Sequence, residues 1–269
     1  MIVVVAAIKS APGVTTTAAA LAGEWPAGRR VVLVEADPFG GDLAAWAGVA
    51  PQTGLWSLLA AGRRGLDPQT VWEHTAMLPT GLSVLFGLAS ADQAVANEAA
   101  WPVLADAFAG LAADVIVDAG RLLPHFAGGI RPLLGAAQVL LVLCPPTLAG
   151  IVHLKGALPG LTAAVSSGRL LVLPTAAKGF SADEIASTLK VDVTPALPDD
   201  ERGAAAIAGE GSGRSKSRLA RWAATTATEL TASWPAPPVP VEPDPTPQPQ
   251  ADTPANGVQR LGAAPEGVR

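Results

Sequence analysis

Five short apolar runs set the limits on what this chain can fold into: Ile2–Ala6, Val31–Glu35, Leu82–Phe86, Asp114–Asp118 and Gln138–Cys144, with Arg169–Leu173 as a sixth. They are rich in Val, Ile and Leu and do not alternate with polar residues. A strand with one wet face alternates, whereas a strand buried on both faces does not. The runs therefore predict a parallel sheet covered by helices. Segments between them, such as Glu98–Ala112 and Leu148–Ser166, are long enough for crossover helices. The expected fold class is α/β, doubly wound, with a mostly parallel sheet and helices on both faces.

Composition narrows the function. With 49% apolar residues among 269, the chain can build one sizeable core. A net charge of −5 provides no global basic field for DNA or an anionic membrane, so direct DNA binding is not expected. Only a dimer that concentrated Arg214, Lys216, Arg218 and Arg221 would change that. Cys144 is the single cysteine, which excludes a disulfide framework and a thiolate metal cluster. No apolar stretch reaches the roughly 18 residues of a membrane span, because Pro145 and Pro146 split the longest candidate. Met1–Ala7 lacks a preceding basic residue and ends at Lys9, so it reads as a strand rather than a secretory segment. A cytoplasmic location is expected.

From Pro235 to Pro254, nine of twenty residues are proline, mixed with Glu, Asp, Thr and Gln. Such a segment cannot bury enough surface to order itself. The expected division is a folded domain over 1–234 and a disordered, Pro-rich acidic tail over 235–269. Before the tail, Leu219, Trp222, Ala223, Thr226, Leu230 and Trp234 recur at helical spacing. An amphipathic membrane anchor would explain them. A closing helix packed on the sheet is the preferred reading, because the basic residues are confined to the first turns.

The stretch "AAIKSAPGVTTTAAALA", Ala6–Ala22, has the form of a phosphate-binding loop: strand, glycine turn, threonines, helix. Backbone N–H groups and a helix N-terminus would surround a phosphate there. Gly13 permits close approach, and the Thr15 hydroxyl is placed to bind Mg²⁺. Two further strands end in carboxylates, "VVLVEADPFGGDL" with Glu35 and Asp37, and "ADVIVDAGR" with Asp118. Carboxylates at the C-terminal ends of parallel strands lie where such sheets bind ligands, and an aspartate there commonly holds Mg²⁺.

These residues resemble the ParA/MinD group of P-loop ATPases. Their deviant motif, K-G-G-x-G-K-S/T-T, aligns without gaps on "KSAPGVTT", Lys9–Thr16. The resemblance implies the P-loop NTPase fold, ATP and Mg²⁺ as cofactors, and a homodimer in which Lys9 reaches the partner's nucleotide. It implies a nucleotide-contacting loop of Lys9, Ser10, Ala11, Pro12, Gly13, Val14, Thr15 and Thr16. Asp37, in a segment similar to the family's D-x-D-P-x-G, would lie near the attacking water and, with Lys9, form the catalytic pair. Thr15, Asp37 and Asp118 would hold the metal, and Pro198 with Asp199 or Asp200 would lie beside the base. The cadence of "LVEADPFGGDLAAWAGV" is similar to the CpaE/TadZ-like branch, associated with pilus or secretion assembly. Chromosome partitioning and septum placement are the group's other roles, and the protein partner is not specified.

Several departures bear on activity. Ser10 and Ala11 replace glycines, Pro12 has no N–H, and Thr175 stands where the family offers asparagine to the base. Val14 replaces the lysine that bridges the β- and γ-phosphates. A charge-assisted hydrogen bond contributes about 1.5–3 kcal/mol, so its loss weakens binding roughly ten- to a hundredfold. The chain is therefore expected to be at most a weak ATPase. A pseudo-ATPase scaffold is the alternative, and an ATP-dependent synthetase of the dethiobiotin-synthetase type is less favoured. His74, His125 and His153 lack metal-ligand spacing. Trp46 and Trp56 are expected to bury against one another.

Overall fold

A computed structural model describes residues 1–10, 12–62, 65–78, 80–122, 130–176, 178–210 and 217–237, which fall in one compact unit, Met1–Val239. Of the expected tail, residues 238–269 lie outside the described residues, as do Ala11, His125, Arg214 and Lys216. The strands are β1 (Ile2–Ala7), β2 (Val31–Glu35), β3 (Ala76–Met77), β4 (Ser83–Leu85), β5 (Asp114–Arg121), β6 (Val139–Cys144), β7 (Arg169–Pro174) and β8 (Asp192–Val193). They form one sheet in the order β3-β4-β2-β5-β1-β6-β7-β8, parallel except for the antiparallel edge β3. Each of the six apolar runs became a strand. β3 and β8, two residues each at the sheet edges, carried no apolar signal.

Side chains alternate along β1 between two cores. Ile2, Val4 and Ala6 join Val34, Val117, Leu140 and Phe108 on one face. Val3, Val5 and Ala7 join Leu33, Ile116, Leu141 and Leu21 on the other. This is the two-sided burial that non-alternating runs imply. The first face is covered by α3 (Leu55–Ala61), α4 (Pro68–Glu73), α6 (Trp101–Ala109), α7 (Arg131–Ala136), α8 (Leu148–Ala164) and α9 (Ala182–Leu189). The second is covered by α1 (Val14–Gly23), α2 (Leu43–Trp46), α10 (Glu201–Ile207) and α11 (Arg218–Thr231). α5 (Ala91–Ala96) has no buried residue. Within α8, Pro159 is exposed, so the carbonyl it leaves without a donor faces water.

α11 settles the reading of the late amphipathic segment. Leu219, Ala223, Ala227 and Leu230 are buried in the second core, and the helix packs against α1. Among the described residues, no helix is long and apolar enough to cross a membrane. Arg218 is engaged with the backbone carbonyl of Asp199. The tryptophans correct an expectation: Trp46 and Trp56 do not bury against one another. α3 turns Leu55 and Leu58 into the first core, which leaves Trp56 on the outward side, 50% exposed, while Trp46 packs half-buried on the second face. Cys144 ends β6 at 2% exposure, and burial pushes its thiol up to about 11.

Candidate functional site

Parallel pairing delivers the chemistry to one edge of the sheet. The loop after β1, the turn after β2 and the end of β5 all leave from the C-terminal edge. Register pairs Glu35 with Asp118 and Val5 with Asp118, so two carboxylates sit side by side beneath the loop. They are 2% and 1% exposed.

The loop itself turns sharply. Ser10 is exposed at a φ of 61°, a left-handed conformation unusual for a side chain, and Gly13 follows at 78°. The Gly13 carbonyl then accepts the first bond of α1, from Thr17 N–H at 2.9 Å. α1 begins on Gly13 with no side-chain cap, so its first N–H groups are open to an acceptor. Val14 is fully buried in the second core. The position that would carry the bridging lysine thus points its side chain into the protein. Thr15 and Thr16 are half-buried in the first turn. Lys9 is exposed, with Nζ 2.9 Å from His153 Nε2 on α8.

Asp118 is the most perturbed group here. Burial raises its pKa to about 7; the Thr15 hydroxyl and the Gly120 N–H beside it pull the other way, and Glu35 and Asp37 add repulsion. Gly120 N–H donates to Oδ1 at 3.1 Å, while Oδ2 is buried with no hydrogen-bond partner. Asp37 is half-buried, accepts the Phe39 N–H at 2.8 Å, and is raised by burial. Gly120 makes room for it: a Cβ there would lie 1.9 Å from Asp37 Oδ2. A buried orphan oxygen, a neighbouring hydroxyl and a second carboxylate are hard oxygen donors of the kind Mg²⁺ takes, so these residues fit such an ion.

Glu35 has a different task that the sequence did not disclose. Its two oxygens accept the backbone N–H groups of Leu43 at 2.8 Å and Gly87 at 2.9 Å. Burial raises its pKa, and those N–H groups oppose the rise. It staples the Asp37 turn to the end of β4. A strand-terminal acid followed by Gly-Gly was the available signal, but its partners are too remote to identify from the sequence. Pro198 and Asp199 lie on the coil between β8 and α10, at the same edge of the sheet. Among the described residues, no hydrogen bond joins them to the loop. Asp200 instead caps α10 through Gly203 N–H at 3.0 Å and holds α11 through Leu219 N–H at 2.9 Å.

No protein-family model and no curated protein matches this chain. Solved structures do. A ParA family ATPase from Chlorobium tepidum is 19% identical, with a TM-score of 0.69 over 84% of this chain and 98% of that one. The septum site-determining protein MinD of Pyrococcus horikoshii, solved with Mg-ADP, is 16% identical, with a TM-score of 0.68 over 85% and 95%. Cobyrinic acid a,c-diamide synthase from Mycobacterium smegmatis, with a bound ATP analogue and magnesium, is 21% identical, with a TM-score of 0.58 over 87% and 95%. The chain thus has the fold of the ParA/MinD-like P-loop ATPases.

Proposed function

We propose that this protein is a ParA/MinD-like nucleotide-binding factor for positioning or assembly, with weak or no ATP hydrolysis. The observation that carries the reading is the Asp118 carboxyl, buried beside Thr15 at the open N-terminus of α1 with one oxygen unpartnered. That arrangement supports ATP with Mg²⁺ as ligand. The α1 N-terminus would receive phosphate oxygens through backbone N–H groups. Thr15 and Asp118, with Asp37 nearby, would hold the metal. Bound Mg²⁺ would neutralise phosphate charge and offset the carboxylate repulsion. Asp37 would orient the attacking water, and Lys9 would supply the cation that Val14 does not, from a second copy of the chain. The fold neighbours solved with Mg-ADP and with an ATP analogue and magnesium support the same ligand class.

A pseudo-ATPase scaffold is the second reading. It is favoured by the burial of Val14 and by the engagement of Lys9 with His153. Calorimetry with ATP, ADP and GTP, with and without Mg²⁺, separates the two, with Lys9→Ala measured beside the wild type. Micromolar, Mg²⁺-dependent ATP binding that falls at least tenfold in Lys9→Ala supports the switch. No heat up to millimolar nucleotide leaves the scaffold.

A further inference from the structure

The carboxylate edge of the sheet borders a cavity of about 250 Å³. Its walls include Leu55, Leu88, Ala94, Trp101, Leu122 and Ile130. α5 forms one side without burying any residue, and its Val95 is 70% exposed. Apolar walls facing an open space forgo the contacts that a filled core makes.

The charged residues lining this cavity are Glu35, Asp37, Glu98 and Arg121. Glu35 is occupied by the N–H groups of Leu43 and Gly87, and Asp37 takes the N–H of Phe39. Arg121 and Glu98 remain. Among the described residues, neither forms an ion pair within 4.0 Å. The Arg121 guanidinium instead lies over the Phe39 ring, 4.7 Å from its centroid. Among the described residues, a cation and an anion that form no ion pair therefore share the lining of an apolar cavity, the cation also feeling the Asp37 carboxylate.

We propose that this cavity binds a small zwitterion with an apolar side chain, namely an apolar α-amino acid. Its carboxylate meets Arg121, its ammonium meets Glu98, and its side chain enters the space under α5. Size limits the occupant, since pockets for drug-sized ligands run roughly 300–1,000 Å³. This cavity falls below that range and suits one amino acid rather than a nucleotide or a docked helix. Charge limits it further. A guanidinium fork matches a carboxylate with two parallel hydrogen bonds. A simple fatty acid would leave Glu98 unpaired, and a simple amine would leave Arg121 unpaired. Asp37 lines this cavity as well as the metal site proposed above, so the test is made without nucleotide to keep the two apart.

The test is calorimetry on the full chain without nucleotide, using L-phenylalanine, L-leucine, glycine, 3-phenylpropionate and phenethylamine. Phenylalanine and leucine are expected to bind, glycine is not, and the two single-charge analogues should bind at least tenfold more weakly than phenylalanine. Arg121→Gln and Glu98→Gln should each lower the affinity at least tenfold, and Ala94→Trp should abolish it by filling the cavity. Circular dichroism checks that each variant is folded. The assignment is overturned if neither amino acid gives heat at millimolar concentration. It is equally overturned if an analogue binds as well as phenylalanine, or if the Arg121 and Glu98 variants bind like wild type.

Discussion

Asp114 and Asp118 stand four residues apart on β5, both buried, and their surroundings could hardly differ more. Asp114, at the N-terminal end, accepts the Arg29 guanidinium at 2.6 and 2.9 Å, the Trp25 indole N–H at 2.8 Å and the Met1 ammonium at 2.9 Å. Burial pushes its pKa up, but those donors outweigh it and hold the group below the usual carboxylate range. Asp118, further along the strand, has one backbone donor, one neighbouring hydroxyl, two carboxylates nearby and an oxygen with nothing. A buried charge with a full set of partners is a structural part; a buried charge left short of partners is kept for something else.

The largest effect expected from that contrast comes from removing the satisfied aspartate. Asp114→Ala leaves Arg29 and the α-amino group buried without their counter-ion, which should cost about 3–5 kcal/mol in denaturant unfolding. Asp118→Asn should cost little stability or none, yet abolish any Mg²⁺-dependent nucleotide binding seen by calorimetry. Equal losses of stability in the two variants would break the comparison.

The second effect is in pH. Because folding raises the Asp118 pKa from 3.8 to about 7, the folded state holds the proton more tightly than the unfolded one. Its contribution to stability is present at pH values below about 4 and is lost as pH rises toward 7. At about 1.4 kcal/mol per unit, the whole drop is at most about 4.5 kcal/mol. Denaturant midpoints measured from pH 4 to 8 should fall more steeply in wild type than in Asp118→Asn. Added Mg²⁺ should flatten the wild-type curve if the ion binds the ionised carboxylate.

Smaller effects sharpen the picture at the loop. Val14→Lys places a cation where the wild-type side chain is fully buried. It should cost roughly 1–3 kcal/mol by overpacking and desolvation. If the new side chain turns out to the phosphates, ATP affinity should rise roughly ten- to a hundredfold in the same titration. Ser10→Gly removes a left-handed cost of roughly 1–2 kcal/mol, partly offset by the greater chain entropy of glycine, and should give a small rise in Tm.

What the sequence disclosed follows from how local each signal is. Strands buried on both faces announce themselves residue by residue, so the six runs and the long helix at Leu148 were legible, the helix despite Pro159. The turn from β1 into α1 was legible too, because its signal is contiguous, as were the carboxylate at the end of β2 and the one near the end of β5. Pairings across the chain were not. The role of Asp114 was hidden because its donors lie 85, 89 and 113 positions away. His153 sits 144 positions from Lys9, and Glu98 and Arg121 meet the same cavity from different elements. The outward side of α3 was misjudged for a related reason: a tryptophan reads as core until its helix is known to turn two leucines inward.

Cys144 closes the strand beside β1 and holds the chain's single thiol. With its pKa near 11, roughly one molecule in ten thousand carries the thiolate at pH 7. The folded protein should therefore ignore iodoacetamide, and alkylation should proceed only through molecules whose central sheet has opened. The rate of labelling is then a clock for that opening, written into the chain without a probe, and a ligand that tightens the sheet edge should slow it.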